Sequence, residues 1–280
     1  MRQPLRAPAG LFKAGGALTH HPRAAFATPP ATPLARRRAA RAAVLCVALA
    51  VLVASAESQT AGPDDPLIAG FKQTYPASVS DAVELVTGHN GTMRYDMKLV
   101  AGKAMVGRAV TSLARPASAE AATPALATKH SVEMIDAAKP GDVGVIVMEG
   151  TLDIAAMGNL MGTGATVRGM AGMVLDGAIR DVWDIRRMGL TVYARSSTPR
   201  TAVGHYATVA KNVPVECAGV TVRPGDIIVA DEDGVVVVPQ ERAEDVLKKA
   251  REIDDRERGM FPFIREHKSI QKAIEIFNRI

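Results

Sequence analysis

From residue 104 onward the chain alternates short apolar runs with stretches of helical periodicity, and Gly or Pro stands at most junctions. Runs rich in Val and Ile at 104–113, 143–148, 172–175, 190–193, 213–216, 226–230 and 234–239 predict strands, because β-branched side chains suit a pleated, half-buried surface. Apolar residues at three- and four-residue intervals over 131–138, 159–168, 179–188 and 241–252 predict helices between some of them. An earlier helix is predicted at 78–87, with Ser80 as its N-cap. Strand and helix alternate in the middle and strands follow one another near the end. That order implies a single-domain α/β sandwich with a mixed sheet, spanning 78–253, preceded by an exposed arm at 57–77 and followed by a C-terminal helical tail at 254–280.

Charge changes the picture at the N-terminus. The 280 residues hold 34 Lys and Arg against 29 Asp and Glu, yet eight of the basic residues and none of the acids lie in residues 1–56. Removing them leaves 26 basic against 29 acidic residues, a net charge of −3, so the basic balance belongs to a leader and gives no reason to expect a nucleic-acid partner. Arg36, Arg37, Arg38 and Arg41 precede an uncharged apolar run over 42–54 that ends in Ala54-Ser55-Ala56. A basic stretch, a short apolar run and a small-x-small site are the pattern of a secretory signal peptide, with cleavage expected after Ala56 and a periplasmic or secreted product. Thirteen helical residues span roughly 20 Å against a hydrocarbon core of roughly 30 Å, so no stable membrane span is expected after processing. Organellar import is the alternative reading. Cys46 would leave with the leader, and Cys217, beside small residues, reads as a buried hydrophobe without a disulfide partner.

Candidate chemistry concentrates in Gly158-Asn-Leu-Met-Gly-Thr-Gly164 and, after a return strand, Asp176-Gly177-Ala-Ile-Arg180-Asp181. Backbone N–H groups at a helix start hold a carboxylate, an arginine clamps it bidentately, and an aspartate ligates a hard divalent cation. The glycines equally permit close packing, and Arg180-Asp181 equally forms a surface pair at a helix start. Asp176-Gly177 reads as a turn. His130 and His205 read as structural or exposed, Asp231-Glu232-Asp233 as a solvated turn, and the methionines as core filling with Met161 the one facing substrate.

Gly158-Asn-Leu-Met, Ala171-Gly-Met-Val-Leu-Asp-Gly-Ala-Ile-Arg-Asp181, Val192-Tyr-Ala-Arg195, Gly219-Val-Thr-Val-Arg-Pro-Gly-Asp226 and Ala230-Asp-Glu-Asp-Gly-Val-Val-Val-Val-Pro239 together resemble the RraA-like family. That family contains class II 4-hydroxy-4-methyl-2-oxoglutarate (4-carboxy-4-hydroxy-2-oxoadipate) aldolases and the regulator of ribonuclease E activity. The resemblance implies the RraA-like swivelling fold and an Mg²⁺- or Mn²⁺-dependent lyase that releases pyruvate from a small 2-oxo acid, with oxaloacetate decarboxylation as a companion activity. It assigns catalysis to Arg180, Asp181, Asn159 and Glu257, with Asp181 on the metal. Substrate binding falls to Gly158, Asn159, Leu160, Met161 and Arg180. Glu257, with Glu252 and Asp255 as alternatives, would come from a neighbouring subunit of a homotrimer or hexamer. Family aldolases carry an acid where this chain has Asn159, so metal affinity or proton transfer is expected to differ. The other reading is a non-catalytic binding or regulatory protein on the same fold.

Overall fold

The computed structural model describes residues 65–278, and the leader with its apolar run and cleavage site lies outside them. The chain enters through α1 (Pro66–Phe71), whose Asp65 N-cap accepts the Leu67 N–H at 2.9 Å, and α2 (Pro76–Thr87). Three edge and central strands follow with one helix between them: β1 (Lys98–Ala101), β2 (Met105–Pro116), α3 (Lys129–Ala137) and β3 (Val143–Met148). The central segment is β4 (Ala155–Met157), α4 (Asn159–Val167), β5 (Gly172–Ile179), α5 (Val182–Met188) and β6 (Val192–Ser197). Five strands then run together: β7 (Tyr206–Lys211), β8 (Val215–Cys217), β9 (Val220–Val222), β10 (Ile227–Asp231) and β11 (Gly234–Val238). A 3₁₀ turn leads into α6 (Ala243–His267) and α7 (Ile270–Phe277).

The main sheet has the order β1-β6-β5-β3-β2-β10-β11, with β4 also pairing β5 and β7 also pairing β2. Pairings among β2, β3, β4, β5 and β6 are parallel, and those at β1, β7, β10 and β11 are antiparallel. The mixed α/β architecture with a C-terminal helix is therefore as expected. The two-residue alternation of strand side chains explains the layering. Ile146, Met148, Met173 and Leu175 face a core shared with α3, α4 and α5, while Val143, Val145, Val147 and Val174 face a second core closed by β8 and β9. On β10 and β11, Ile228, Ala230, Val235 and Val237 join the second core, and Ile227, Val229, Val236 and Val238 meet α1, α2 and α6 in a third. A sheet buried on both faces accounts for the unbroken valine runs.

Several expectations give way. The helix over 76–87 begins four residues before Ser80, and Ser80 Oγ instead bonds Thr92 Oγ1 at 2.6 Å from within the helix. Within the stretch read as an arm, α1 buries Ile68 and Phe71. Asp176-Gly177 is no turn: β5 runs on to Ile179 with a bulge at these residues, and a Cβ at Gly177 would meet Met148 Cγ at 2.8 Å. The helix expected from 179 starts at Val182 for the same reason, since β5 holds the chain extended until its core contacts end. α6 runs unbroken across residues 253 and 254, through Pro262.

Candidate functional site

β4 and β5 lie side by side and end together, tied by the Arg180 N–H to the Met157 carbonyl at 3.0 Å. Beyond β4, Gly158 caps α4; beyond β5, Asp181 caps α5. Ligand sites of parallel sheets sit at the carboxyl ends of strands, where such loops converge. Here the convergence is tight. A Cβ at position 158 would lie 2.5 Å from Asp181 Oδ2 and 2.9 Å from Arg180 Nε, so any side chain there would displace these two. Gly162 likewise lets α4 close onto Ile185 of α5. Asp181 adopts φ 57°, ψ 33°, a left-handed conformation that aspartate tolerates better than most residues. That turn aims its carboxylate back at α4, where Oδ2 accepts the Asn159 N–H at 3.0 Å.

The sequence-predicted residues of the loops after β4 and β5 are thus brought together. Arg180 Nε lies 3.7 Å from Asp181 Oδ2, with the two side chains 40% and 35% exposed, so neither is sealed off from a ligand. Arg180, Gly158, Leu160 and Met161 line a cleft of about 210 Å³, with Thr128 and Val132 of α3 and Thr201 to Val203 of the loop after β6 as its other walls. One detail differs from expectation: the Asn159 N–H is already engaged by Asp181. The N–H groups of Leu160 and Met161 precede the first intrahelical bond, Gly162 N to Gly158 O, and are the ones oriented to receive an anion. Leu160 is 83% exposed at the rim. The sequence reading missed Asp184, whose Oδ2 accepts from Asn159 Nδ2 at 3.2 Å. Its signal was its place three residues after Asp181, in the first turn of α5.

Other candidates sort as expected. His130 Nδ1 lies 3.3 Å from Glu133, the Asp233 N–H bonds Asp231 Oδ1 within the β10–β11 turn, and Met148, Met157, Met170 and Met173 are buried. Cys217 is fully buried, and burial pushes its thiol well above the usual range, which removes it as a nucleophile. Glu257 is on α6, which packs against α1, α2 and α7 and supplies no residue to the cleft of its own protomer. Among the described residues no group of three or more His, Cys, Asp or Glu is arranged to hold a metal. Beside the cleft stand hard oxygens, the carboxylates of Asp181 and Asp184 and the carboxamide of Asn159, joined by hydrogen bonds at the starts of α4 and α5. Mg²⁺ and Mn²⁺ are commonly held by one or two carboxylates with waters and substrate oxygens, so this donor set fits such an ion.

The model of the RraA-like family, described as Aldolase/RraA, matches residues 76–237. The chain belongs to the RraA-like family. Curated relatives carry the name "putative 4-hydroxy-4-methyl-2-oxoglutarate aldolase". The one from Halalkalibacterium halodurans is 41% identical over 118 residues, 41% of this chain and 54% of that protein. The one from Deinococcus radiodurans is 38% identical over 104 residues, 36% of this chain and 64% of that protein. The chain spans about half the length of the curated relatives it matches. Among solved structures, an uncharacterised protein from Pseudomonas syringae superposes with a TM-score of 0.65 at 27% identity, covering 74% of this chain and 96% of that one. Streptomyces coelicolor RraAS2, described as an unusual member of the RNase ES inhibitor RraA protein family, gives 0.63 at 26%, covering 73% and 98%. The aldolase names of RraA-like relatives support a lyase or aldolase reading.

Proposed function

We propose that this chain is a divalent-metal-dependent lyase that releases pyruvate from a small 2-oxo acid of the 4-hydroxy-4-methyl-2-oxoglutarate type and also decarboxylates oxaloacetate. The observation that carries the reading is the meeting of Arg180 and the N-terminus of α4, which line the cleft, with Asp181, which stands 3.7 Å from Arg180 and accepts the Asn159 N–H. The Arg180 guanidinium clamps the substrate carboxylate, and the Leu160 and Met161 N–H groups bind it from the helix end. Asp181 and the Asn159 carboxamide are the residues that would hold Mg²⁺ or Mn²⁺. Such an ion, when bound, supplies Lewis-acid polarisation of the 2-oxo group. Arg180 adds positive charge where negative charge develops as the C3–C4 bond breaks. Water held by Asp181 takes the C4 hydroxyl proton as that bond breaks and returns a proton to C3; with oxaloacetate the departing group is CO₂ and only the proton to C3 is needed.

In a homotrimer or hexamer, Glu257 of a neighbouring subunit completes the proposed site. The leader is proposed to export the chain with cleavage after Ala56, which N-terminal sequencing of the processed protein tests.

The deciving test of the activity is pyruvate release from oxaloacetate and from 4-hydroxy-4-methyl-2-oxoglutarate with Mg²⁺, with Mn²⁺ and with EDTA. Release that needs metal and is lost in Asp181→Ala supports the lyase. No release from either compound, together with no pyruvate binding in the presence of Mn²⁺, overturns it. The binding or regulatory reading, supported by the likeness to the Streptomyces protein, would then take its place.

A further inference from the structure

Asn159 meets two carboxylates from one turn of α5 through two different groups. Its backbone N–H donates to Asp181 Oδ2 at 3.0 Å, and its side-chain Nδ2 donates to Asp184 Oδ2 at 3.2 Å. An ionised carboxylate only accepts hydrogen bonds, so the atom facing Asp184 has to be the amide nitrogen. The orientation of the carboxamide is thereby fixed by chemistry. Because the group is planar, Oδ1 is turned away from Asp184.

We infer that Asp184 is a positioning residue of the cleft: by accepting from Nδ2 it fixes Asn159, whose backbone N–H in turn holds the Asp181 carboxylate next to Arg180, the arginine that lines the cleft. The inference rests on the lyase reading of the same cleft. It also explains the amide at 159. An aspartate there would set two carboxylates against each other at hydrogen-bonding distance, with Asp181 as a third and Arg180 as the neighbouring cation, and like charges so placed repel. Asn159 and Asp184 form a matched set of one amide and one carboxylate. A merely structural role is also open to Asp184, since an acid in a first helical turn favours the helix dipole.

Four variants of the full chain separate these roles: Asp184→Ala, Asp184→Asn, Asn159→Asp, and the double variant Asn159→Asp with Asp184→Asn. Each is read by kcat and KM for oxaloacetate, by pyruvate titration in the presence of Mn²⁺, and by thermal midpoint. Loss of a residue that orients a binding group commonly costs about 10- to 100-fold. Asp184→Ala is expected to lose about tenfold in kcat with a smaller change in KM, and Asp184→Asn to lose less, because an amide oxygen still accepts from Nδ2. Asn159→Asp is expected to weaken both turnover and pyruvate binding, and the double variant, which exchanges amide and carboxylate, to recover most of that loss.

If Asp184→Ala lowers only the thermal midpoint, Asp184 is an ordinary helix-start acid and the inference is overturned. It is overturned equally if the double variant is no better than the product of the two single changes. Both outcomes leave wild-type turnover standing. A wild-type protein that neither binds pyruvate nor releases it removes the lyase reading and the inference together.

Discussion

β5 ends between two arginine–aspartate arrangements that have the same charges and opposite uses. At Asp176 both carboxylate oxygens are engaged within the protein. Arg195 donates to Asp176 Oδ1 at 2.8 Å and to Asp96 Oδ2 at 2.7 and 3.0 Å, while Asp176 Oδ2 takes the Ala218 N–H. The hydrogen bonds from Arg195 hold the Asp96 carboxyl below its usual range, and Asp96 in turn raises the Arg195 guanidinium. Four residues on, Arg180 and Asp181 stand 3.7 Å apart and remain more than a third exposed. The difference is geometric. Arg195 reaches across from a neighbouring strand and fits between its carboxylates, whereas sequence neighbours at a strand end cannot fold flat against each other. A pair that cannot satisfy itself is free to bind something else.

The largest expected effect tests the open pair. Arg180→Ala should cut pyruvate release by about 100- to 1,000-fold, as removal of a preorganised charge-stabilising donor does, with a thermal midpoint close to that of the unaltered protein. Arg195→Ala should do the reverse. Leaving Asp96 and Asp176 uncompensated in a largely buried site costs about 3 kcal/mol, measured by urea unfolding, since breaking such a pair strands charge. Similar losses of turnover at both positions, with similar stability, would erase the contrast.

Gly158→Ala is expected to act between these. The added methyl would push Asp181 and Arg180 apart from α4, lowering turnover by about tenfold on the scale of a misplaced catalytic group, and steady-state kinetics read it. The smallest effect is on pH dependence. Asp96, with its lowered pKa, contributes stability that is present above the ordinary carboxylate value of about 3.9 and is lost as pH falls through its lowered value. Asp142 and Asp226, raised by burial, act in the opposite sense and favour the fold more as mild acid protonates them. Thermal midpoints should therefore hold or rise slightly from pH 7 to about 5 and fall below about 4.

What the sequence made legible depended on whether neighbours were local. The strands at 143–148 and 234–238 and the helix at 159–167 follow from their own periodicity, while the grouping of Arg180 and Asp181 with Gly158 came from the family resemblance and not from spacing. The strands β1, β4, β7 and β9 went unseen: β1, β4 and β9, of four, three and three residues, carry little pattern of their own and exist through their partners, and β7 is a largely half-exposed strand held by its pairing with β2. Asp176-Gly177 misled for a related reason. A dipeptide that favours turns is held extended by Arg195, nineteen residues away. Ser80 could not announce that Thr92 would take its hydroxyl. Asp184 lay in plain view but acquires meaning only when α5 is laid against α4.

Cys217, in β8, is buried with its sulfur 3.9 Å from Met93 Sδ, and it is the one cysteine among the described residues. In the chain beginning at Glu57 a thiol reagent would have a single target that closed molecules hide. The rate of labelling becomes a clock for opening of the second core, readable in dilute protein and without denaturant. Slowing of that clock by pyruvate and Mn²⁺ would report how far the cleft and the far face of the sheet move as one body.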